Sequence, residues 1–106
     1  MLIVSTFNIA DKKIVRTLGL VKGNTIRARH VGRDIMAGLR GIVGGELHEY
    51  TKLLAESREQ ALHRMIEDAQ KLGADAVVGV SFSTSVMTQG AAELMAFGTA
   101  VLIEDN

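Results

Sequence analysis

The segment LMAFGTAVLI, residues 94–103, gives the clearest indication of the fold. Its β-branched and large apolar residues, bounded by polar positions, predict a β-strand. A strand with one solvated face alternates apolar with polar side chains, whereas this stretch offers only Thr99 as a polar side chain. We therefore predict a strand from Ala92 to Glu104 that is covered on both faces.

The preceding segment, Asp75–Thr88, predicts a neighbouring strand joined to the first by a turn at residues 88–90. Strict alternation places bulky side chains on one face of each strand and small ones on the other. A face of small residues predicts close approach by another element, and a neighbouring subunit is the simplest candidate. The small positions that carry this prediction are Gly79, Ser81, Ala96, Gly98 and Ala100.

A long helix is predicted upstream, from Glu46 to Leu72, because apolar residues recur there at three- and four-residue spacing. Gly73 supplies the left-handed conformation that ends a helix. At 1.5 Å per residue the helix would be roughly 40 Å long, more than the width of a small domain. Its length is a second reason to predict an oligomer. A shorter helix is predicted between Gly32 and Val43, ended by Gly44 and Gly45.

The N-terminal part predicts extended structure. Residues 2–7 predict a first strand, and residues Lys13–Ala28 predict two short strands separated by a turn or bulge at Gly23 and Asn24. The order is thus strands, helices, strands, with no linker or repeat. We predict one α+β domain over residues 1–106, with helices packed on a sheet.

Composition narrows the function classes. The 106 residues carry 12 basic and 12 acidic side chains, so no overall charge would attract nucleic acid or an anionic membrane. The sequence has no cysteine, which excludes disulfides and thiolate chemistry. The longest apolar stretch, Ala91–Ile103, contains Glu93 and falls short of the ~20 residues of a membrane-spanning helix. The expected location is the cytoplasm, and neither a membrane nor a nucleic acid is a predicted partner.

One set of side chains has the spacing of metal ligands. Glu59, His63 and Glu67 share a face of the long helix and could offer nitrogen and oxygen to a divalent ion. The alternative is that they form solvated pairs with Arg58 or Arg64. The sequence leaves the cofactor undetermined, with a divalent metal ion as one candidate.

A glycine-rich stretch before the long helix is a candidate ligand site. Backbone N–H groups at Gly44 and Gly45 could meet an anion at the helix N-terminus, with Arg33 and Arg40 assisting. No lysine follows the glycines as in a P-loop, and Glu46 already complements the helix dipole. A hinge between two helices is the alternative interpretation.

No set of nucleophile, base and acid stands at a recognisable spacing. No catalytic residue is therefore predicted, and a non-enzymatic role is favoured. An enzyme whose site is shared between subunits remains an alternative.

Three blocks of the sequence are similar to those of a known family. Ile42–Gly45 before the long helix, Leu72–Val80 after it and Gly98–Val101 in the last strand resemble the YbjQ-like family over nearly the whole chain. The resemblance implies a dodecin-like two-layer subunit, an antiparallel sheet packed with helices, and a homopentameric ring. The family has no characterised activity. Heavy metals prefer thiolate sulfur, which this chain lacks, so its residues do not match the family's heavy-metal-binding label.

The leading functional hypothesis is a cytoplasmic homo-oligomeric binding or scaffold protein, a pentameric ring by resemblance. Its unknown ligand would lie in the pore or at subunit interfaces. The first alternative is a metal-ion-binding protein that uses His, Glu or Asp ligands.

Overall fold

The computed structural model describes residues 1–27, 46–88 and 91–106 of the chain. The short helix predicted after Gly32 and the turn residues 89–90 lie outside these ranges. The elements are β1 (Leu2–Ile3), β2 (Lys12–Arg27), α1 (Glu46–Lys71), β3 (Ala76–Thr88) and β4 (Ala91–Asp105). The predicted long helix and both late strands are confirmed to within a residue at each end.

The four strands form one sheet in the order β1-β3-β4-β2. β4 lies in the interior of the sheet and pairs antiparallel with both β2 and β3. β1 pairs parallel with β3, an arrangement that needs a long crossover and receives it through β2 and α1. The α+β prediction is confirmed, and the sheet is mixed where a wholly antiparallel one was expected.

The interpretation of residues 13–28 as two strands was wrong, since β2 is continuous. Its irregularities lie between Ile14 and Arg16 and between Thr17 and Gly19, where an extra residue bulges from the pairing with β4. Gly23 makes no turn. It lies under α1, where an added Cβ would come 2.2 Å from the Ala61 carbonyl oxygen and 2.3 Å from the Met65 nitrogen.

α1 lies on the sheet through one buried stripe at four-residue spacing. Ser57, Ala61, Met65 and Ala69 are buried, whereas Leu54, on the same predicted apolar pattern, is 44% exposed. Ala61, Met65 and Ala69 pack against Val21, Val77, Ala96 and Ala100 of the sheet. The small side chains on both layers let the helix backbone approach the strands closely.

A Schellman-type motif ends α1 as predicted at Gly73, whose φ is +74°. The Ala74 N–H donates to the Ala69 carbonyl (3.2 Å), and the Gly73 N–H donates to the Gln70 carbonyl (3.0 Å). The Asp75 N–H then bonds the Val101 carbonyl at 3.0 Å, and the Asp75 carboxylate accepts the Ile103 N–H at 2.9 Å. This short connection fixes the start of β3 against β4.

A bulge at Gly79 divides β3. Gly79 has φ +63°, and the pairing with β4 shifts between Val78 and Ser81. The alternation predicted through this strand was therefore wrong. Val77 and Val80 belong to the core under α1, whereas Val78 packs in a second cluster on the opposite face.

The N-terminal segment fills the space beside that bulge. Residues 4–6 follow β1 and hydrogen-bond β3 at Val77, Gly79 and Val80, with distances from 2.8 to 3.0 Å. Val4 and Ile9 then cover Ala76, Val78 and Val101. Only one end of the face opposite α1 receives this cover.

The exposed start of β2 pairs with the exposed end of β4. The Lys12 ammonium bonds the Asp105 carboxylate, and this hydrogen bond, with the positive charge of Lys12, lowers the pKa of Asp105. In the part of the chain that is described, no helix is long and apolar enough to cross a membrane.

Candidate functional site

The sheet face opposite α1 is only partly covered. We call the part beyond the N-terminal segment the open face. Its side chains belong to cross-strand rows that alternate with the buried rows under α1. The open face consists of Leu20, Lys22, Asn24 and Ile26 on β2, Glu93, Met95, Phe97 and Thr99 on β4, and Ser81, Ser83 and Ser85 on β3.

Apolar side chains run along the centre and one side of the open face. Leu20 is 69% exposed and Ile26 is 58% exposed, and both lie on β2. Met95 and Phe97 lie beside them and are half-buried. These four apolar side chains share one face of the sheet, and apolar groups exposed together on a surface typically mark an interaction site.

Polar groups interrupt the apolar surface at defined points. The Asn24 Nδ2 donates to the Glu93 Oε2 at 2.8 Å and joins β2 to β4 across the open face. Lys22, the residue of β2 next to Asn24 on this face, is exposed. Ser81, Ser83 and Ser85 of β3 form a polar border on the other side of β4. The surface can thus combine apolar contact with directional hydrogen bonds.

The small-residue face has a different neighbour from the one predicted. Ala96 and Ala100 are buried in the core under α1 of the same chain. The close approach predicted from small residues is therefore supplied by the chain's own helix. Ser81, one of the small positions, lies on the opposite face because of the Gly79 bulge. The bulky face of β4 is the one that lacks full cover.

The predicted metal ligands lie on the exposed side of α1. His63 Nε2 and Glu67 Oε1 are 2.8 Å apart, and both side chains are more than half exposed. Glu59 stands one turn earlier on the helix. Among the described residues no three His, Cys, Asp or Glu side chains are grouped closely enough to hold a metal ion.

The donor set does not fit a thiophilic heavy metal. The chain has no cysteine, and the His63–Glu67 pair offers one nitrogen and one oxygen. Such a pair fits a borderline divalent ion completed by water ligands. A site of this kind would be open to solvent, since both side chains are more than half exposed.

The other predicted ligand residues, Arg33, Arg40, Gly44 and Gly45, lie outside the described residues. Over the ranges that are described, no buried side-chain nitrogen or oxygen lacks a hydrogen-bond partner. No unsatisfied polar group in these ranges therefore points to a small-molecule site in the interior. The open face is the candidate functional site.

The sequence pattern predicted that β4 needs cover on both faces. It did not predict that the face with the bulky side chains is the open one. The signal was Gly79 within a strand of β-branched residues, because an internal strand glycine often marks a bulge. A bulge at Gly79 moves the three serines to the same face as Phe97 and Met95.

Comparison with known proteins gives one family. A family model described as "Putative heavy-metal-binding", of the YbjQ type, matches residues 1–104. A UPF0145 protein of Methanosarcina acetivorans is 59% identical over 103 residues, covering 97% of each chain. A UPF0145 protein of Dehalococcoides mccartyi is 55% identical over 104 residues, covering 98% of this chain and all of the relative.

A solved structure shares the fold. It is a crystal structure of a protein of unknown function from Pediococcus pentosaceus, assigned to the DUF74 family. The TM-score is 0.65 at 16% identity, and the match covers 98% of both chains. At this identity the likeness concerns the fold alone.

Proposed function

Because the chain belongs to the YbjQ-like family of uncharacterised UPF0145 proteins, we propose that it is a homo-oligomeric binding or scaffold protein that assembles through its open face. The observation that carries the proposal is the exposure of Leu20 and Ile26, 69% and 58%, beside the half-buried Met95 and Phe97. Burying these side chains against another copy removes apolar surface from water.

The shape of the subunit also favours association. Its Cα radius of gyration is 17.0 Å, against roughly 13 Å for a compact domain of this length. An elongated subunit with one sheet face uncovered leaves much of its apolar surface exposed. The proposed assembly is the pentameric ring that the sequence resemblance implies, with any ligand held in the pore or between subunits. The cytoplasmic location stays a prediction.

The test is the molar mass of Leu20→Asp in solution. A buried, unpaired carboxylate at the centre of an interface is costly, so we expect the variant to dissociate to subunits of 11.4 kDa at micromolar concentration. We expect the wild type to have about five times that mass. Multi-angle light scattering after size-exclusion chromatography measures both.

The matched control is Leu54→Asp, which makes the same change at another exposed leucine, on α1 and away from the open face. It should keep the mass of the wild type, and circular dichroism should show that both variants fold. A wild type of subunit mass would contradict the assembly. A Leu20→Asp variant that stays assembled would contradict the role of the open face.

Binding of a divalent metal ion is the second candidate function, favoured by the 2.8 Å His63–Glu67 contact. Two donors on one helix predict weak binding of zinc or nickel, and His63→Ala should abolish it. Equilibrium dialysis of untagged protein against buffer with a fixed zinc concentration, followed by elemental analysis of both compartments, measures the ratio of bound metal to subunit. Gln60→Ala on the same helix is the control. A metal-free wild type, or His63→Ala with undiminished metal, would contradict this function.

A further inference from the structure

The outer edge of β2, on the side away from β4, is a second surface of interest, because another strand could pair with it. Among the residues that the structure describes, β2 stands last in the strand order and pairs with β4 along one side only. In an antiparallel pair, alternate residues direct both backbone groups toward the partner or away from it. Lys22 and Asn24 belong to the set directed away from β4, because their backbone groups meet side chains of α1.

Two side chains of α1 occupy this edge. The Asp68 Oδ2 accepts the backbone N–H of Lys22 at 3.1 Å. The Arg64 Nη1 donates to the backbone carbonyl of Asn24. The acidic side chain meets a donor and the basic one meets an acceptor, so each satisfies the group that a new strand would otherwise pair with.

The spacing of helix and strand makes the arrangement possible. Four residues of helix rise about 6 Å, and two residues of antiparallel strand span about 6.8 Å. Arg64 and Asp68 therefore match Asn24 and Lys22 when the helix runs antiparallel to β2. Gly23 lies between the two contacts and allows α1 to come close enough for both.

We propose that Arg64 and Asp68 close the edge of β2 against strand addition by a second copy of this chain. β2 is a 16-residue edge strand with exposed apolar side chains at Leu20 and Ile26 on either side of the closed segment. Long apolar edges of this kind associate with one another unless they are blocked. Identical edges can pair antiparallel about a twofold axis, which makes a second copy the natural partner.

This edge is distinct from the open face, so the inference goes beyond the proposed function. It also constrains the assembly, because copies that meet through the open face leave the edge capped. The two side chains thus favour association through the open face, because they block the pairing of one β2 edge with another.

The test is the double variant Arg64→Ala/Asp68→Ala. We expect the Lys22 amide to exchange at least about tenfold faster in hydrogen-exchange NMR, since it loses its acceptor. We expect concentration-dependent growth beyond the wild-type mass, seen by light scattering and thioflavin fluorescence, at a rate at least tenfold higher. Glu56→Ala/Arg58→Ala removes the same charges from exposed positions of the same helix and should grow at the wild-type rate.

Asp68→Asn keeps an acceptor oxygen and should remain near the wild type in both measurements. If the double variant does not fold, the single variant Asp68→Ala is compared with Asp68→Asn in the same way. An unchanged Lys22 exchange rate, or faster exchange with no gain in growth over the control, overturns the inference. A wild type of subunit mass would overturn the proposed function and leave this comparison of rates intact.

Discussion

Gly23→Ala is expected to lower the free energy of unfolding by about 3 kcal/mol or more, at the upper end of the cost of overpacking. The added methyl would lie 2.2 Å from the Ala61 carbonyl oxygen and 2.3 Å from the Met65 nitrogen. Both are backbone atoms of a long helix, so no side-chain rotation can relieve the overlap. The helix itself must move away from β2.

Chemical denaturation at fixed protein concentration measures the change, because the stability of an oligomer depends on concentration. The corresponding fall in Tm is at least about 12 °C for a domain of this size. Val15→Ile is the control, since it adds one carbon at an exposed position of the same strand, outside the open face. A Gly23→Ala variant as stable as this control would show that α1 does not rest on β2 at Gly23.

Met65→Ala should lower the free energy of unfolding by about 2–5 kcal/mol, the usual range for a large-to-small change in a core. Met65 is fully buried and is the largest such side chain in the described residues. Its neighbours in the core include Ala61, Ala96 and Ala100. Alanine methyls are too short to close the space that the lost side chain leaves, which favours the upper half of that range.

Met65→Leu is the matched control, because it nearly preserves volume and should cost less than about 1.5 kcal/mol. Denaturant titration of the two variants side by side gives the difference. A Met65→Ala loss no greater than that of Met65→Leu would mean that the core collapses around the cavity. It would then contradict the rigid helix-on-sheet packing described above.

The elements were predictable where the signal is local. The apolar period of α1, the glycine that ends it and the β-rich text of β3 and β4 are properties of short windows. The strand predicted at residues 94–103 is likewise confirmed, as part of β4. Local physics determined these features, so one sequence was enough.

The errors arose where partners are distant in the chain. Gly23 has the local look of a turn, but its role is to admit a helix some forty residues later in the sequence. The parallel pairing of β1 with β3 likewise depends on two intervening elements. Propensity within a window carries no information on such contacts, since tertiary packing overrides it.

The candidate site was predictable in part for the same reason. Alternation along β4 correctly separates Phe97 and Met95 from Ala96 and Ala100. Along β3 one extra residue at Gly79 reverses the faces. Since the strand period is two, a shift of one residue moves every later side chain to the other side. Counting positions along the strands could not show that the helix covering the small-residue face belongs to the same chain.

The strand order also has a kinetic consequence. β2 pairs with β4 through contacts such as Lys12 with Asp105, 93 positions apart, and Asn24 with Glu93, 69 positions apart. Almost the whole polypeptide must be closed into a loop before these pairs can form. Domains dominated by such distant pairings fold in milliseconds to seconds, whereas helical bundles fold in microseconds to milliseconds. Because β2 is synthesised before β4, β2 stays without its partner strand until β4 has been made.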